Sequence, residues 1–304
     1  MNPSPPHAAA AAAAADAPPV THYENFPVAS WLCPARLRAP IAAIYTFART
    51  ADDIADEGDA PPEARLAGLA SYRQALQAAG AGRACGRAWP EVFGPLQRQI
   101  LTWELPPALL HALLDAFEQD VRMTRDGTHF ADRAQLLAYC ARSANPVGRL
   151  LLHLYAVHDP EAQRQSDAIC SALQLINFWQ DLSVDLPRAR HYVTDADCAR
   201  FGVARAQLAR QERTPASDAL VLDCAAWARQ LMQEGAPLAQ RLPGRIGWEL
   251  RLVVQGALTV LAKVERLAGA SLLKRPRVRA WDAPRIAWSA LRMGSGRVIR
   301  VCNQ

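Results

Sequence analysis

"ICSALQLINFWQDLSVDL", residues 169–186, is apolar almost throughout. Its polar exceptions fall in a row: Gln174, Asn177, Asp181 and Asp185 are spaced three, four and four apart, which places them in one stripe on one face of a helix. The other positions, Leu173, Leu175, Ile176, Phe178, Trp179, Leu182 and Val184, are core-like. A helix that is apolar on most sides is buried, so the stripe is expected to face an internal cavity rather than bulk water. Unpaired carboxylates there are costly. The segment holds no lysine or arginine, so the neutralising cation has to come from elsewhere.

A second carboxylate group lies upstream in "PIAAIYTFARTADDIADEGD", residues 40–59. On a helix Asp52 stacks over Asp56, and Asp53 over Glu57. Each like-charge pair costs an isolated helix about 0.2–0.5 kcal/mol. If the two acidic helices face each other, they form a box of hard oxygen ligands suited to Mg²⁺. That ion takes one or two protein carboxylates and completes its octahedron with water and phosphate oxygens. Metal bridging to a diphosphate makes it a good leaving group. The surrounding apolar and aromatic wall holds a hydrocarbon and stabilises a carbocation through cation–π contact. The pattern therefore points to chemistry on a prenyl diphosphate.

The rest of the 304 residues fits an ordinary soluble chain, 51% hydrophobic and 21% charged. The net charge of +5 and pI near 9.0 match an anionic partner: a phosphorylated substrate, a membrane surface or nucleic acid. No nucleic-acid motif accompanies the charge, and none is expected as a partner. Arginine carries almost all of it, Lys263 and Lys274 being the only lysines. Seven scattered cysteines include no C-x-x-C, which argues against zinc and for reduced, buried thiols in a cytoplasmic protein. His111, His129, His153 and His158, four of the seven histidines, lack metal spacing, and G-x-S-x-G is absent. "GAGRACG" (80–86) has the wrong spacing for a phosphate loop and reads as a connector. No apolar run reaches membrane-span length. The basic "LKRPRVRAWD", 273–282, reads as a solvated turn or a contact for anionic lipid or substrate phosphate.

Periodicity predicts helices over about 36–57, 62–80, 89–102, 106–125, 132–142, 146–157, 160–184, 204–211, 216–241, 246–270 and 282–293, with Pro and Gly at the breaks. Residues 1–19 are Pro/Ala-rich, and no Lys or Arg precedes Arg36, so a signal peptide is not expected. One all-α domain is the simplest reading.

At this point the chain resembles the squalene/phytoene synthase family over roughly residues 20–290. "YTFARTADDIADE" resembles the family's first aspartate-rich motif and "QLINFWQDLSVDLPRARHYV" its second; "YCARSANPVGRLLLHLY", 139–155, resembles the segment between them. The resemblance implies an isoprenoid-synthase-type helical bundle around a central cavity. It would span 21–295, between an Ala/Pro-rich tail at 1–20 and a short tail at 296–304. It also implies that Asp52, Asp56, Asp181 and Asp185 bind two or three Mg²⁺ ions, with Asp53 and Asn177 as further candidates. Tyr45 and Tyr139 would join them in catalysis. His22, Arg49, Gln174, Asn177, Arg190 and Tyr192 would contact substrate, and Phe26, Phe47 and Phe178 would wall the hydrocarbon.

Within the family, residues 22–59 and "NFWQD" (177–181) are most similar to the bacterial hopanoid-pathway subfamily. That similarity implies Mg²⁺-dependent ionisation of presqualene diphosphate. Water captures the cation to give hydroxysqualene and diphosphate, a carbon–oxygen lyase step without NADPH, with Asn145 or a tyrosine positioning the water. Implied partners are an upstream presqualene diphosphate synthase and a downstream flavoprotein, at the inner face of the membrane. Condensing relatives usually read R-D-x-x-E-D in the second motif; here Gln180 and Val184 replace the arginine and glutamate, which disfavours condensation of two prenyl diphosphates. Two other readings stay open: a head-to-head condensing synthase acting on farnesyl or geranylgeranyl diphosphate, and a non-enzymatic scaffold of the same fold.

Overall fold

Prolines and short polar side chains set where the helices begin. Pro62, Pro90, Pro107, Pro160 and Pro215 each sit in a first turn, where a missing N–H costs nothing. The Asp132, Asp159, Thr194 and Thr214 side chains accept from backbone N–H groups three residues on, capping four helices. A computed structural model describes residues 33–84 and 88–293. Its helices are α1 (Ala35–Asp56), α2 (Pro62–Gly80), α3 (Pro90–Trp103), α4 (Pro107–Asp126), α5 (Arg133–Ser143), α6 (Asn145–Leu154), α7 (Pro160–Gln180), α8 (Leu182–Asp185), α9 (Asp195–Phe201), α10 (Arg205–Ala209), α11 (Pro215–Gly235), α12 (Leu238–Arg241), α13 (Gly244–Leu267) and α14 (Ala283–Arg292). Among the described residues there is no strand. The fold is the expected all-α bundle.

Three departures from the sequence pattern matter. The helix expected over 160–184 ends at Gln180, and Asp181 leaves helical geometry at φ −100° and ψ 10°. The Asp185 N–H still donates to the Asp181 carbonyl at 2.8 Å, so the two aspartates keep the one-turn spacing that the stripe requires. Helix α9 was not expected: seven residues give too short a window for periodicity, and it rests on the Thr194 cap. The helix expected over 216–241 stops at Gly235, just before Pro237.

Helix α1 packs against α2, α3 and α4, while α7 packs against α6, α11 and α13, with α5 between the groups. Phe47, on α1, stacks on Tyr72 with ring centroids 5.2 Å apart and meets Phe93 edge-on. It is fully buried among them and does not wall the cavity, contrary to the expectation. Helices α7 and α11 approach so closely at Gly235 that a Cβ there would lie 2.6 Å from the Gln165 carbonyl and 2.8 Å from the Ile169 nitrogen. Backbone cannot yield as a side chain can. Gly235→Ala is therefore expected to cost about 2 kcal/mol or more by forcing the helices apart, read as a lowered Tm. His22 and Phe26, the tails at 1–20 and 296–304, Cys85 and Cys302 lie outside the described residues. The five described cysteines are free.

Candidate active site

Between the two helix groups lies a cavity of about 790 Å³. Helix α1 presents Tyr45, Arg49, Asp52 and Asp56, spaced four, three and four apart along one face. From the facing side come Gln174, Asn177, Phe178, Asp181 and Asp185. This polar stripe is half-buried, while Leu175, Ile176 and Trp179 beside it are fully buried, as the apolar pattern requires. Tyr139 enters from α5, and Arg190 and Tyr192 from the segment after α8. Every expected site residue that the structure describes thus lines one cavity, except Phe47, Asp53 and Asn145. Asp53 lies outside the wall and pairs with Arg49 at 2.7 Å. Asn145 is buried in a helix contact, where its Oδ1 accepts from the Ser171 hydroxyl at 3.0 Å, so it is not placed to hold a water in the cavity.

The carboxylates are answered by guanidinium groups. Arg49 pairs with Asp52 at 3.0 Å, Arg190 pairs with Asp56, and Arg275 pairs with Asp181, its second contact being 3.0 Å. Asp185 has no such partner among the described residues. Burial pushes its carboxyl up to about 7, and the neighbouring Asp181 carboxylate adds to this against the pull of Arg188 and Arg275. Burial also raises Asp181, with Arg275 and Arg277 opposing.

No three acidic, imidazole or thiol groups among the described residues come close enough to hold an ion by themselves. The donor set nevertheless fits Mg²⁺ as an ion that keeps most of its shell for water and phosphate oxygens. It is all oxygen, it includes the Asp185 carboxylate that no guanidinium pairs among the described residues, and Asn177 lines the same wall.

Three participants carried no motif. Asp120, on α4, faces the cavity and accepts from the Tyr139 hydroxyl at 2.5 Å. Burial pushes its carboxyl up to about 7; the Tyr139 hydrogen bond opposes this, and the Asp52 and Asp185 charges add to it. Asp120→Ala leaves that hydroxyl without its acceptor and is expected to cost about 1–3 kcal/mol in thermal or denaturant melts, with Asp120→Asn costing less.

Arg275 belongs to the basic segment at 273–282. The buried Gln180 side chain donates to the Pro276 carbonyl at 2.7 Å and so anchors the loop that carries Arg275 to Asp181. The positive charge that residue 180 lacks is supplied in space by a residue 95 positions on. Val184, read as core, is instead 37% exposed.

The third is Glu249, on α13 among Leu242, Ile246, Leu250 and Val253 in the cavity wall. Its charge adds to the burial that pushes the Cys33 thiol up to about 11.

The aromatic groups gather near the aspartates. Phe178 and Tyr192 stack with centroids 3.6 Å apart and planes 8° apart, and Tyr139 lies 6.2 Å from Phe178. Beyond them the cavity is walled by aliphatic side chains including Ile44, Leu151, Ile169, Leu173 and Leu250. Charged groups and aromatic rings thus gather together, and the remainder of the wall is largely aliphatic apart from Glu249.

Comparison with known proteins agrees with this geometry. The chain is 33% identical over 232 residues to a hydroxysqualene synthase of Rhodopseudomonas palustris, covering 76% of this chain and 75% of that protein. It is 31% identical over 265 residues to a phytoene synthase of Thermus thermophilus, covering 86% of each. The crystal structure of squalene synthase HpnC from Alicyclobacillus acidocaldarius superposes with a TM-score of 0.73 at 34% identity, over 82% of this chain and 90% of that one. Because the squalene/phytoene synthase model also matches residues 20–282, both aspartate-rich helices included, the chain belongs to the squalene/phytoene synthase family.

Proposed function

We propose that the protein ionises presqualene diphosphate and lets water capture the rearranged cation, giving hydroxysqualene and diphosphate. The observation that carries this reading is the convergence of both aspartate pairs and an aromatic cluster at one end of a single apolar cavity. Similarity to a hydroxysqualene synthase supports the finer choice of reaction.

Asp52, Asp56, Asp181, Asp185 and Asn177 would hold Mg²⁺, which when bound neutralises the diphosphate and improves it as a leaving group. Arg49, Arg190 and Arg275 offer forked donors to its oxygens. The carbon–oxygen bond breaks with its electron pair leaving on diphosphate. The faces of Phe178, Tyr192 and Tyr139 lie beside the region where positive charge develops. Tyr139 is held in place by Asp120. Water then forms the new carbon–oxygen bond and gives up a proton, so the step needs no reductant. The class of enzyme that makes presqualene diphosphate would act before this one, and a reductase removing the hydroxyl would act after it.

A head-to-head condensing activity is the second reading. Arg275 restores a cation beside Asp181, which weakens the case against condensation that Gln180 makes alone. The same assay separates the readings from each other and from a non-enzymatic scaffold. Purified protein with Mg²⁺ receives presqualene diphosphate or farnesyl diphosphate, with and without NADPH, and products are identified by mass. The expected result is an alcohol from presqualene diphosphate regardless of NADPH. Efficient conversion of farnesyl diphosphate, or a shift to squalene with NADPH, overturns it. No turnover of either substrate favours the scaffold.

A further inference from the structure

We propose that α14 and the loop before it form a docking surface for an anionic lipid bilayer. Helix α14 rests on α13 through Ala290, which is fully buried, and Ile286, which is half-buried. The opposite side displays large apolar groups: Trp281, Trp288 and Leu291 are 68%, 57% and 59% exposed. Spacings of seven and three align them along one side of the helix and the turn that leads into it. Leu273, at the start of the loop, is 62% exposed. Scattered exposed apolar residues need no explanation, but an aligned set with one tryptophan on a short helix and another in the turn before it does.

Its charge names the occupant. Lys274, Arg277, Arg279, Arg285 and Arg292 are exposed, and among the described residues no carboxylate pairs with their side chains. The one acid between residues 273 and 292, Asp282, is taken up by Lys263 and by the Arg279 N–H at 2.7 Å. Arg279 lies over the Trp281 ring at 4.7 Å and Arg292 over the Trp288 ring at 4.8 Å. Tryptophan flanked by arginine suits the headgroup layer, where the ring sits at the apolar boundary and the guanidinium at the phosphates. Each basic residue near an anionic surface adds about 1 kcal/mol. An acidic protein partner would match the charge but would not call for apolar rings standing clear of the surface. No helix among the described residues is long and apolar enough to cross a membrane, so this contact would be peripheral.

The same loop brings Arg275 to Asp181, so the docking face adjoins the charged end of the cavity. That link to substrate delivery rests on the proposed prenyl diphosphate reading; the surface itself does not.

The test is sedimentation of the full chain with phosphatidylcholine vesicles, with and without phosphatidylglycerol, at low and high salt. Binding is expected only to the anionic vesicles, and is expected to weaken at high salt. Trp281→Ser with Trp288→Ser, and separately Arg285→Glu with Arg292→Glu, are each expected to weaken it about tenfold or more. Both variants should keep the wild-type circular dichroism spectrum and wild-type turnover of micelle-dispersed presqualene diphosphate. Equal binding to both vesicle types, no binding, or unchanged binding by the folded variants overturns the proposal, as does a dimer in analytical ultracentrifugation that the same substitutions dissolve. An inactive wild-type protein that still binds anionic vesicles overturns the proposed reaction and leaves the surface standing.

Discussion

Asp185→Asn is expected to lower diphosphate release from the prenyl substrate by about 10²-fold or more, and in the same protein to raise the Tm measured without metal at alkaline pH. The loss is on the scale of removing one preorganised electrostatic group. The gain follows from the carboxyl's surroundings. Its folded value of about 7 lies above the ordinary value near 4, because burial and Asp181 both disfavour the anion. A carboxyl raised in this way contributes stability that is fully present below its unfolded value and is lost as pH rises through about 7. Above that the wild-type protein holds a carboxylate it would rather protonate, and asparagine removes the strain. One unit is about 1.4 kcal/mol, and solvent reaching the open cavity discounts the total to about 1–3 kcal/mol. Melts at acid and alkaline pH should therefore show the two proteins diverging as pH rises. A purely structural Asp185 would give the opposite: a less stable variant with activity lost only in proportion to unfolding.

On the proposed reading Arg275→Ala should lower kcat/KM by about 10–100-fold, since it removes a forked, charge-assisted donor from beside the aspartates. Arg275→Lys should recover part of this, because the charge returns without the fork. Gln180→Ala should weaken turnover less: it frees the Pro276 carbonyl and loosens the loop but leaves the guanidinium in the chain. Steady-state kinetics on the three variants check the order. Wild-type kinetics in Arg275→Ala would show that the ion pair with Asp181 is only a surface contact.

The two acidic helices were legible because their chemistry rides on periodicity. Asp52 and Asp56, and the stripe from Gln174 to Asp185, repeat at helical spacing, and an apolar helix cannot bury carboxylates without a purpose. Most helix limits were legible for the same reason, since proline and capping side chains mark them locally. The remainder depends on contacts that no local pattern encodes. Asp120 sits in "FEQDVRMTRD", an ordinary amphipathic helix; only the folding of α5 against α4 brings Tyr139 to it. Arg275 lies in an irregular basic loop, and one buried amide 96 residues before Pro276 decides where that loop goes. Glu249 is one of two acids on an amphipathic helix, where a solvated position is the default reading. Phe47 erred the other way: aromatic spacing cannot say whether a ring faces a cavity or another ring, and Tyr72 and Phe93 claim it.

The arginine pairs on Asp52, Asp56 and Asp181 have a thermodynamic consequence. A divalent cation entering this cavity would find Asp52, Asp56 and Asp181 already paired, and each of those three that it took as a ligand would have to leave its guanidinium. That guanidinium loses its counter-ion unless an anion arrives to receive it, and a diphosphate is such an anion. On the proposed reading, cation and diphosphate would exchange partners with the protein together, each raising the other's affinity by the same factor. An ion without substrate would then gain little hold, and the ion pairs would keep the aspartates in register in its absence.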